Sequence, residues 1–126
     1  MKFLLSWVIE DKGGHTYSFN WDFLKNLLIN LKNSRGSITL SIIDRETGIT
    51  SLQTQAENNN YLLTLEDETE DEIDIKSYFN ELGEQGQIEI LGDYWDKRQV
   101  TNDYSMILDM FSQYYLTGDI NRDYIK

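Results

Sequence analysis

The sequence predicts a single α+β domain: an antiparallel sheet of about five strands with two helices packed on one face. Two segments, Trp21 to Lys32 and Thr101 to Leu116, carry apolar residues at helical spacing. They are separated by a run of short strand-like segments, so helices and strands are segregated and do not alternate one by one. Short polar turns join those strands, which favours an antiparallel meander over crossover connections. The length of 126 residues suffices for one core and is too short for two ordinary ones.

The elements follow in order. Phe3 to Ile9 is apolar but stops at Glu10-Asp11 with no small-residue cleavage site, so it reads as a first strand and not as a leader. Asp11 to Gly14 has the backbone freedom for a turn, which would leave His15 exposed beside it. Asn20 can accept a hydrogen bond from an unpaired first-turn amide, and Asp22 complements the positive helix end. Trp21, Leu24, Leu27, Leu28 and Leu31 then share one face of the first helix. Asn33 to Gly36 ends it. Ser37 to Ile43 alternates Ile38, Leu40 and Ile42 with Thr39 and Ser41, the pattern of a strand with one buried face. Arg45 to Gly48 turns the chain into a weaker strand, Ile49 to Gln55, and Glu57 to Asn60 turns it again into Tyr61 to Leu65.

The second half is less regular. Ile75 to Leu82 leaves room for a helical turn, and Gln87 to Leu91 is a further strand closed by Gly92. Caps at Thr101 to Asp103 open the second helix, whose inward stripe is Ile107, Met110, Phe111 and Tyr114 and whose stop is Gly118. Asp119 to Lys126 is expected to fray.

Twenty-two acidic residues against eleven basic ones give a formal charge of -11, which repels phosphate backbones and favours a basic partner. No nucleic-acid partner is expected. The absence of cysteine excludes disulfides, thiolate nucleophiles and Cys-based zinc or iron–sulfur sites, and the single histidine, His15, excludes a His-rich metal site. Neither GxGxxG nor GxxxxGK occurs, and the acidic segment lacks the ligand spacing of a calcium loop. No catalytic residue, cofactor or metal is therefore assigned. Nothing approaches a membrane-spanning length, so the expectation is a soluble cytoplasmic protein without a membrane partner.

Two segments stand out as candidate partner-binding sites. From Glu66 to Asp74, seven of nine residues are acidic: Glu66, Asp67, Glu68, Glu70, Asp71, Glu72 and Asp74. Such a run cannot pack on itself and is expected as a solvated loop or strand end that attracts a basic protein. The other segment is Tyr94-Trp95, flanked by Asp93, Asp96, Lys97 and Arg98. Tyr94 is expected to be partly exposed. Trp95 has two readings, a partner anchor or ordinary core against the sheet edge, and both stay open.

The ordered set of Trp7, the Gly13-Gly14 turn, the Trp21-Asp22 helix start, Ser37-Ile38-Thr39-Leu40, Asn60-Tyr61-Leu62-Leu63-Thr64 and Ile90-Leu91-Gly92-Asp93-Tyr94-Trp95 before a terminal helix resembles small immunity proteins of bacterial polymorphic toxin systems, including contact-dependent growth inhibition. The resemblance spans nearly the whole chain. It implies a non-enzymatic protein that binds and blocks a cognate toxin domain, often a nuclease, in the cytoplasm. Two other classes compete with it: an adaptor or structural subunit, as monomer or as homodimer through a sheet edge, and an enzyme built on a carboxylate pair or a carboxylate-held metal.

Overall fold

The computed structural model describes residues 1–126. The chain begins with the hairpin β1 (Phe3–Ile9) and β2 (Lys12–Thr16), followed by helix α1 (Trp21–Leu31). A meander comes next: β3 (Gly36–Ile42), β4 (Gly48–Glu57), β5 (Asn60–Glu68) and β6 (Ile73–Ser77). After it come a small hairpin, β7 (Gln87–Ile90) and β8 (Asp93–Asp96), a 3-10 turn at Lys97–Gln99, the short β9 (Val100–Thr101) and helix α2 (Tyr104–Thr117). The main sheet runs β2-β1-β3-β4-β5-β6, and β9 pairs with β5 beside it. Every pairing is antiparallel. The sheet is therefore larger than the five strands expected, within the same α+β class. No helix is long and apolar enough to cross a membrane.

Register explains which side chains are buried. Leu5 stands opposite Leu40, Leu40 opposite Leu52, and Leu52 opposite Leu65, forming one continuous apolar row across four strands. That face receives Leu24, Leu28 and Leu31 from α1 and Ile107, Met110, Phe111 and Tyr114 from α2, all within one core. The expected stripe of each helix is thus the stripe that is buried. Asn20 caps α1 through its side chain, which accepts from the Phe23 amide at 3.0 Å, and Gly118 ends α2 in the left-handed conformation at φ 75.

Opposite this layer the sheet presents Ser6, Ser37, Thr39, Ser41, Gln53 and Gln55. Only Leu62 is fully buried on this side, together with Ile90 from β7. The β7–β8 hairpin covers this part of the sheet, tied to it by the Leu91 amide donating to Glu57 Oε1 at 3.1 Å.

Three local expectations are corrected. Gly13 and Gly14 are not a turn but part of β2. The turn is Glu10-Asp11, and Gly14 is required because the Trp7 indole lies across it, 2.5 Å from where a Cβ would stand. His15 accordingly sits on a strand, opposite Ser6. Ile75 to Leu82 holds no helix: its first residues belong to β6, because pairing with β5 satisfies their backbone. The final segment does not fray. Ile120 is buried, Phe79 donates to the Tyr124 carbonyl at 2.8 Å, and Ser77 and Lys126 exchange both backbone bonds at 2.9 Å.

Candidate functional site

The acidic run is a hairpin more than a loop. Glu66, Asp67 and Glu68 complete β5, Thr69 to Glu72 make the turn, and Ile73 and Asp74 begin β6, so the expected loop over 66–74 is confined to its centre. The turn is held locally: the Thr69 amide donates to the Glu72 carbonyl at 2.9 Å, and the Glu72 amide donates to Thr69 Oγ1 at 3.3 Å. Glu70, Asp71 and Glu72 on this turn are exposed, as is Glu66 on the strand, whereas Glu68 and Asp74 are half-buried.

Asp67 differs from the other six. Alternation along β5 turns it to the helical face, where Lys76 Nζ lies 3.1 Å and Arg122 Nη1 2.6 Å from its Oδ2. The Arg122 guanidinium, assisted by the Lys76 ammonium, holds the Asp67 carboxyl below the usual carboxylate range. Its charge is therefore already satisfied within the chain, and it pins the final segment to the sheet. Glu66, Glu68, Glu70, Asp71, Glu72 and Asp74 have no ion-pair partner.

Tyr94 and Trp95 lie elsewhere. They belong to β8, whose hairpin is anchored near the β4–β5 turn at Glu57, while the acidic turn is at the opposite end of β5, roughly 27 Å away at the rise of an extended strand. The two candidate segments therefore lie in separate regions of the sheet. Tyr94 is 67% exposed opposite Glu89, whereas Trp95 is half-buried opposite Ile88, on the side of the hairpin that carries the buried Ile90. Next to Trp95, Arg98 grips Asp96 with Nε to Oδ1 at 3.0 Å and Nη2 to Oδ2 at 2.6 Å. This fork lowers the Asp96 carboxyl to about 2, and Asp96 also caps the 3-10 turn reciprocally with Gln99.

Sequence reasoning did not find two further features. An open apolar groove of about 570 Å³ lies between the start of β1 and the last turn of α2, lined by Phe3, Phe19, Tyr115 and Leu116 among others. Near the other end of the sheet the Tyr61 and Tyr104 rings pack 6.0 Å apart with both hydroxyls buried and unpartnered, and burial raises both phenols. Their signal would have been the register of β5 against β9, which no periodicity encodes. No three His, Asp or Glu side chains converge at metal-ligand spacing.

Residues 5–124 match the model of a family of unknown function, DUF6911. The chain belongs to that family. No curated protein matches it. Among solved structures it is similar to a hypothetical protein from Neisseria gonorrhoeae, with a TM-score of 0.79 and 21% identity over 95% of this chain and 90% of that one. At that identity the likeness extends to the fold.

Proposed function

We propose that the protein is a binding module that captures a basic protein partner on the β5–β6 hairpin, acting as a toxin-neutralising immunity protein. The observation that supports this reading is the set of six carboxylates on one rigid hairpin that have no cation of their own chain. Maintaining that density costs self-repulsion, and a lysine- or arginine-rich surface relieves it on contact. The resemblance to immunity proteins supplies the partner class, a basic and often nucleolytic toxin domain, and the site would block it by occupying the surface that receives phosphates. Tyr94, exposed at the far end of the sheet, is the remaining side chain suited to an anchoring role.

The test is growth rescue. Cells expressing the toxic domain of an effector encoded beside this gene should survive when this chain is co-expressed. The purified pair should bind more weakly as salt rises, and more weakly still when Glu70, Asp71 and Glu72 are changed to Gln, Asn and Gln. No rescue, or binding indifferent to both salt and neutralisation, would remove the proposed site.

A further inference from the structure

We propose that β6 is an acceptor strand, which takes an extended lysine- or arginine-rich segment of a partner protein as the next strand of the sheet. This rests on reading the acidic hairpin as a docking surface for a basic protein, and it specifies how that docking is made.

Register determines which backbone groups are free. The Tyr78 amide donates to the Leu63 carbonyl at 2.9 Å, so Lys76 and Asp74, two and four residues earlier, also direct their backbone groups to β5, opposite Leu65 and Asp67. The intervening residues face away from the sheet. Ser77 shows this, since both its backbone bonds go to Lys126. The final segment thus covers the edge from Ser77 to Phe79 and no further. Ile73 and Ile75 are left with outward N–H and C=O groups that no part of the chain pairs.

An open edge is ordinarily an aggregation hazard, blunted by charge or cover. Here the side chains also select an occupant. Ile73 is 59% and Ile75 66% exposed, and at alternate positions they share one face of the strand, opposite Glu68 and Glu66 on β5. An incoming strand would gain apolar contact from the two isoleucines and charge-assisted bonds from the flanking acids. A second copy would bring another chain of charge -11 to an edge already flanked by Glu66 and Glu68. The opposite edge, β2, offers Gly13 and Gly14, no large exposed apolar side chain, and Lys12, which has the sign of the incoming segment.

Hydrogen exchange on the full chain tests this with two probes: a peptide alternating Lys and Val, and the same peptide N-methylated on every backbone nitrogen, so that neither of its edges can pair. In the free protein the Asp74 and Lys76 amides should be protected and those of Ile73 and Ile75 open. The unmethylated peptide should slow exchange at Ile73 and Ile75 by about tenfold or more, and the methylated one should not. Ile75→Pro removes a donor that the sheet does not use and should weaken peptide binding about tenfold, with Ile75→Lys as a second variant should the proline disturb folding. Equal binding of both peptides without protection would overturn strand addition and leave the acidic docking surface standing. Failure of both to bind would overturn both readings. Protection of Ile73 and Ile75 that rises with protein concentration alone would assign the edge to a second copy, and protection in β2 would assign addition to the other edge; either result refutes the proposal.

Discussion

At the scale of single residues, one buried and two half-buried hydrogen bonds join the sheet to its flanking elements. The Tyr114 hydroxyl donates to the Ile49 carbonyl at 2.7 Å, and Arg45 Nη1 donates to the same oxygen at 2.9 Å and to the Gly118 carbonyl at 2.7 Å. The carbonyl thus keeps one donor if the other is lost. Tyr114→Phe should therefore cost only about 1 kcal/mol, read as a shift of the denaturant midpoint at unchanged slope. Asp67 is more exacting, because its removal takes the partner of Lys76 and the closer of the two carboxylates at Arg122, which keeps Asp119 at 3.4 Å. Asp67→Asn should cost ~1–2 kcal/mol and accelerate amide exchange at Ser77 and Phe79, where the final segment pairs. The pH dependence follows from sign. Asp67 and Asp96 both have depressed folded-state values, so each binds its proton more readily when unfolded. Their contribution is complete above the ordinary carboxylate value of about 4 and is lost as pH falls through the folded values, about 2 for Asp96. Acid unfolding followed by circular dichroism should therefore begin at higher pH in Asp67→Asn and Asp96→Asn than in the parent.

At the scale of elements, the β7–β8 hairpin is the most separable part. Its only fully buried contribution is Ile90, which like Leu62 lies outside the main core. Leu62→Ala should cost about 2–4 kcal/mol locally and raise exchange in Gln87–Asp96 well before β1, β3 or β4 respond. A uniform loss of protection would show that the two faces unfold as one. The helices and central strands were legible in the sequence because each presents a repeating stripe, Leu24-Leu28-Leu31 or Ile38-Leu40-Ile42, that burial demands. The β1–β2 turn was misplaced because glycine marks a close approach as well as a turn: Gly14 accommodates the Trp7 indole, while Glu10 takes the positive φ of 54. The final segment was misread for a related reason. Nothing local predicts that Arg122 will meet Asp67 across 55 positions.

At the scale of the whole molecule, charge dominates. A net charge of -11 is offset by few internal ion pairs, so added salt should screen self-repulsion and raise the melting temperature at neutral pH, even as it weakens capture of a basic partner. A melting temperature that falls with salt would mean that attraction within the pairs outweighs repulsion among the rest.

The sequence by itself determined the class of fold, the buried stripes of both helices and the acidity of one segment, since these follow from periodicity and composition within a few neighbouring residues. Only the tertiary structure decided that this segment is a hairpin on an open sheet edge, that Asp67 is neutralised from within, and that Tyr94 and Trp95 lie at the other end. Those facts depend on strand register and on contacts between residues far apart in the chain, which are set by simultaneous packing of the whole core.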